Sequence, residues 1–254
     1  MLLTYILWVA IVALQVLLIV HLLRLGLARR YPYFFSYLIL SGGSNLIKWT
    51  VYHLWNAYYP WCYWILEFVV VWGGFLVVAE VFCQAFHPFP SIRRVVGWST
   101  LILLLVLLAA HIGLGLSGTI RFGWYEMFFQ IVRWGRFVQA GLLALLVAAA
   151  RYYLLPWGRN VAGLGLGFGL YVSLIVVSFA LQALGRVDLT VLSHLYSGAS
   201  LMTLGIWLYA FWVYAPNPLP ARPARLEQDY ARLNLAVTAA LLGVRGTLRK
   251  AAGI

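Results

Sequence analysis

The chain predicts an all-α, polytopic membrane protein: a bundle of seven transmembrane helices, N-terminus outside, with a C-terminal amphipathic helix on the cytoplasmic side. Three observations predict it. Hydrophobic residues make up 64% of the chain and charged residues only 9%, where soluble domains carry about 25% charged residues. The apolar residues fall in runs of roughly 20, the length that crosses a bilayer as a helix. The basic residues fall almost wholly in alternate loops, as the positive-inside rule requires of a multi-pass protein.

The spans follow in order. The first, 2–23, starts beside Met1 with no basic segment before it and no A-x-A site ahead of Arg24, so it is expected to be a membrane helix and not a cleaved signal peptide. The run Arg29-Arg30-Tyr31-Pro32 precedes the second, 33–55. A turn around Asn56–Pro60 leads into the third, 61–86, which stops at His87-Pro88-Phe89-Pro90. The fourth, 95–112, has polar groups only near its ends, Ser99, Thr100 and His111, and is expected to face lipid. The fifth is 124–150. Pro156-Trp157-Gly158 separates it from the sixth, 161–184, and Pro216, Pro218 and Pro220 end the seventh, 189–214, since proline cannot continue a helix. Residues 1–215 thus form the membrane domain. In the remainder, 216–254, a proline-punctuated linker precedes Leu226, Tyr230, Leu233, Val237, Leu241, Val244 and Leu248 at spacings of three and four. That pattern predicts a helix lying on the inner leaflet or against a membrane or cytoplasmic protein partner.

Arg24, Arg29, Arg30, Arg93, Arg94, Arg151 and Arg159 follow the first, third and fifth spans, and six more basic residues lie in the tail. The opposite loops hold only Arg121 and Arg186. This places the N-terminus outside and the tail in the cytoplasm, in a plasma membrane of the bacterial inner-membrane type. The net charge of +12 is then a topology signal with weak attraction to anionic lipid, and no nucleic-acid partner is implied. Cys62 and Cys83 lie about 31 Å apart on one predicted helix, beyond disulfide reach.

The polar residues inside the spans converge on the outer half. The fifth span carries Glu126, Gln130 and Arg133 on one face and Arg136 on its flank. Arg133 lies roughly 13 Å and Arg136 roughly 18 Å below the membrane surface. An arginine at that depth needs a partner or water, and an intramembrane charge is a functional-site candidate by default. Lys48 and Glu67 sit at matched depth on either side of the turn at 56–60, so an ion pair is expected. His194 and Ser197 add hydrogen-bonding groups from the seventh span. Glu80, nearer the inner face, is expected to meet a cytoplasmic-side arginine or His21. The deeper layer holds more cation than anion. A small anion, or the anionic head of an amphiphile or lipid, is therefore expected against Arg133, with hydrogen bonds from Gln130, Ser197 and His194.

Catalytic and metal motifs are missing. The five histidines fall at scattered depths without H-x-x-H spacing, no G-x-S-x-G elbow accompanies Asp188 and His194, and the glycine-rich sixth span lacks a P-loop lysine. Lys48 beside Glu67 could mimic a retinal Schiff-base site, but the last span has no lysine. No cofactor is specified, and an intramembrane enzyme ranks last. In outline the layout resembles the heptahelical receptors, without their short motifs. Receptor-like or sensory binding of a small ligand therefore ranks first. A secondary transporter or channel ranks second, because polar residues thin out toward the inner face. Faint similarity between the first three and last three spans, each with an arginine-bearing loop and a glycine-rich helix, would suit a transporter built from repeats. A structural or pigment-holding subunit of a larger complex ranks third.

The orientation is testable with single-cysteine variants in intact cells. A membrane-impermeant thiol reagent should label Cys62 and spare Cys83. Labelling at Cys83 alone would reverse the topology.

Overall fold

In the computed structural model, residues 2–87, 124–153, 155, 157–183, 185 and 189–216 are described, with isolated positions beyond them. The expected span at 95–112 and the tail helix lie outside the described residues. Six α-helices and no strands occur among the described residues: α1 Leu2–Arg24, α2 Pro32–Leu54, α3 Tyr59–Ala85, α4 Trp124–Tyr152, α5 Arg159–Ala183 and α6 Leu189–Phe211. All except α2 contain a segment long and apolar enough to cross a membrane, which marks the chain as a membrane protein. The fold is coarser than the seven spans expected. Helix α2 has the length, but Ser41, Ser44, Asn45 and Lys48 dilute its apolar character. Ser44 and Lys48 turn inward, while Ile39, Leu46, Ile47 and Trp49 stand exposed.

The ends of the helices have local causes. Gly26, just past α1, adopts φ +66, the left-handed conformation that terminates helices and that a side chain resists. Pro32 opens α2 in its first turn, where its missing N–H would be unpaired in any case.

Successive helices pack side by side, α6 returns to α1, and α3 touches α5 across the ring so formed. Two close approaches set the spacing. A Cβ at Gly135 of α4 would stand 2.6 Å from Val71 Cγ1 of α3. A Cβ at Gly163 of α5 would collide with Ala210 of α6, and one at Gly167, a turn away, would meet Trp207. Small residues at four-residue spacing let membrane helices approach this closely.

The two ends of the ring differ. At the end that carries Arg24, Arg29, Arg30, Arg151 and Arg159, the interior is packed with aromatic rings. Phe34 stacks on Phe211 at 5.1 Å and meets Trp207 edge-on at 4.9 Å, and Tyr37 meets Phe168 edge-on at 5.5 Å. Polar side chains tie backbone there. Asn160 donates to Ala210 O at 2.7 Å and accepts from Ala215 N at 2.6 Å, holding the end of α6.

Glu80 differs from expectation. It accepts hydrogen bonds from the backbone N–H groups of Phe34 at 2.7 Å and Tyr33 at 3.3 Å. His21 instead stacks on Trp212 and bonds its carbonyl. The reason is that the first turn of α2 presents unpaired N–H donors at the positive end of the helix dipole, which satisfies a buried carboxylate without a cation. Glu80→Ala should destabilise the protein by about 2 kcal/mol through loss of charge-assisted hydrogen bonds, and Glu80→Gln by less. Melting in detergent measures both, and an alanine variant that melts with the parent would contradict the assignment.

Candidate functional site

Toward the opposite end the ring opens into a cavity of about 700 Å³ to which all six helices contribute. Its lining holds a charged trio. Lys48 Nζ of α2 donates to Glu67 Oε1 of α3 at 2.5 Å, and Arg136 Nη2 of α4 lies 3.7 Å from Glu67 Oε2. Lys48 Nζ also stands 4.8 Å over the Tyr63 ring, one turn above Glu67, and the Arg136 guanidinium 5.3 Å from the Tyr171 ring on α5.

Arg136 is aimed by a relay. Its Nη1 donates to Gln139 Oε1 at 3.2 Å, and Gln139 Nε2 donates to Val71 O at 2.7 Å. The second bond fixes which way the amide points, so the oxygen is left for the arginine. Arg136 is 1% exposed and Gln139 fully buried. Even so, Arg136 Nη2 has no hydrogen-bond partner among the described residues. The trio carries two cations and one carboxylate, so its formal balance is +1.

The rest of the cavity is mixed. Trp64, Phe129 and Phe179 form an aromatic wall, and Asn45, Gln182, Ser193, Ser197 and Ser200 add polar groups to the lining. Behind the ion pair lies a smaller chamber of about 80 Å³, with Gln15, Ser41, Ser44 and Thr203 in its lining. It is polar and roomy enough for a few waters, and Ser44 Oγ is buried there without a hydrogen-bond partner among the described residues. The Lys48–Glu67 pair lines both spaces.

Of the residues the sequence singled out, the structure brings Lys48, Glu67, Arg136 and Ser197 to the cavity. Gln130, Arg133 and His194 do not line it, and the Glu126 side chain lies outside the described residues. Of the two arginines of α4, it is Arg136 and not Arg133 that lines the cavity. The cause is the contact at Gly135. It turns Val132, Gly135, Arg136, Gln139 and Leu143 inward, all buried, and leaves Arg133 about 60° around the helix. Arg133 is half-buried, with Nε unpartnered among the described residues. Ser197 donates to Ser193 O one turn back. Gln139, Tyr171, Phe129 and Phe179 were not anticipated. The spacing 132, 136, 139, 143, 146 was the available signal. No cluster of metal-binding side chains occurs among the described residues.

The chain matches no protein-family model, no curated protein and no solved structure.

The shared carboxylate orders the effects of substitution. Glu67→Gln strands two cations and should cost about 3–5 kcal/mol, as breaking buried pairs does. Lys48→Gln should cost less, because Arg136 remains beside Glu67. The double variant should fall short of the sum of the singles. Thermal melts in detergent measure all three, and additive shifts or the reverse order would show that Glu67 does not hold both cations.

Proposed function

We propose that the protein is a heptahelical inner-membrane protein, N-terminus outside, that binds the anionic group of a small or amphiphilic ligand in its outer cavity and acts as a receptor or sensor. The observation that carries this reading is Arg136 Nη2, buried and without a hydrogen bond among the described residues, 3.7 Å from Glu67 Oε2 in a trio with one cation in excess. A buried charge without a match is unfavourable unless something completes it. A guanidinium with a free edge suits a carboxylate or phosphate. The orientation is supported by the arginines gathered at the end opposite the cavity, which the positive-inside rule makes cytoplasmic. With α2 counted as a crossing, the six described helices and the apolar run at 95–112 would make seven. The signal would leave through the inner loops or the tail helix, which would have to meet a membrane or cytoplasmic protein partner.

Transport is the second reading, and the polar chamber behind the Lys48–Glu67 pair favours it. It ranks lower because Phe34, Tyr37, Phe168, Trp207 and Phe211 close the interior beyond that chamber. A path through would have to part several packed rings.

Thermal melting in neutral detergent and low-chloride buffer tests the binding. Decanoate should raise the melting temperature saturably, by the linkage of ligand to the folded state, whereas decyltrimethylammonium should not. Arg136→Gln, if folded by circular dichroism, should lose the response. Equal stabilisation by both amphiphiles, or a full response in the folded Arg136→Gln variant, would contradict the proposal.

A further inference from the structure

The cavity's shape and walls say more about the ligand than its charge does. Resting on the anion-binding reading above, we infer that the ligand is a planar aromatic carboxylate, held head-down on Arg136 with its rings in an aromatic slot.

Three observations lead there. The first is width. From the level of Tyr171, beside Arg136, to Gln182 is eleven residues of α5, or about 16 Å. A cavity of about 700 Å³ over about 16 Å of depth has a mean cross-section of roughly 40 Å². A single alkyl chain, with packing neighbours about 4 Å away on each side, would leave much of that empty. A ring system would fill it.

The second is the character of the wall. Trp64 of α3 meets Phe129 of α4 edge-on at 5.1 Å, and Phe129 meets Phe179 of α5 edge-on at 5.9 Å. Three helices thus contribute one continuous aromatic surface on the cavity side. Tyr196 of α6 also lines the cavity. Aromatic rings attract a further ring by offset or edge-to-face contact beyond simple area burial, a gain that an alkyl chain cannot take.

The third is polarity along the axis. Arg136 lies about two turns deeper along α4 than Phe129, Gln182 lies at the end of α5, and Asn45, Ser197 and Ser200 also line the cavity. A rod with a carboxylate at one end, and no second charge at the other, matches this sequence of surroundings. The carboxylate would take the free Arg136 Nη2 and bring the trio to formal neutrality.

Isothermal titration calorimetry on the detergent-solubilised protein, with protein-free micelles subtracted, tests this with two probes of equal carbon number. Biphenyl-4-carboxylate should bind roughly tenfold more tightly than tridecanoate, as one or two added ring contacts would give. Phe179→Leu should weaken the biphenyl probe more than tridecanoate, and Phe129→Leu gives the same comparison should the first variant not fold. Tridecanoate binding as tightly as the biphenyl probe, with Arg136 still required, would overturn the aromatic slot and leave anion binding standing. Binding of neither carboxylate would overturn both.

Discussion

A carboxylate in the interior of a membrane protein must find positive charge or N–H donors, because neither water nor lipid will supply them. Glu67 meets this constraint by sharing one carboxylate between Lys48 and Arg136. The sharing ties α2, α3 and α4 at one level of the bundle. It also leaves a surplus: two cations are brought in to neutralise one acid, and one guanidinium nitrogen remains unbonded among the described residues. Glu80 meets the same constraint differently. With the free N–H groups of α2 as its donors, it needs no cation and creates no surplus.

The packing divides accordingly. Below the trio, Phe34, Phe168, Trp207 and Phe211 are nearly or fully buried, with Phe34 stacked on Phe211 and edge-on to Trp207, and glycines at Gly163 and Gly167 draw α5 against α6. Above it, among the described residues, α1 has no buried residue before Gln15 and α2 none after Lys48. The half that carries the cavity therefore encloses space where the half beside the loop arginines is filled. Gln139 lies at the junction, where it anchors on the Val71 carbonyl and orients Arg136 from below.

How much of this was legible in the sequence depended on whether geometry was local. Lys48 and Glu67 flank a short turn, so equal residue counts imply equal depth, and their pairing followed from arithmetic. The choice between Arg133 and Arg136 was not local. Both lie in a helix with apolar residues on every side, and which face turns inward is decided by Gly135 packing on Val71 of another helix. The polar stripe through Glu126, Gln130 and Arg133 was conspicuous, whereas the buried stripe is mostly apolar and carries its two polar groups inconspicuously. Glu80 was misassigned for a similar reason. Its partners are backbone N–H groups, which leave no mark in a sequence, and the expected cations, such as His21, are engaged elsewhere. Tyr171 and Phe179 read as ordinary apolar-span residues until α5 is set against α3 and α4.

The central claim is that Arg136 is held ready for an anion from outside the chain. A high-resolution electron cryomicroscopy map of the protein in zwitterionic-lipid nanodiscs, with biphenyl-4-carboxylate added, tests it most directly. The account predicts density for the carboxylate within hydrogen-bonding distance of Arg136 Nη2, with Glu67 still bound to Lys48. A map in which Arg136 grips Glu67 with both terminal nitrogens, and side chains fill the cavity, would contradict it.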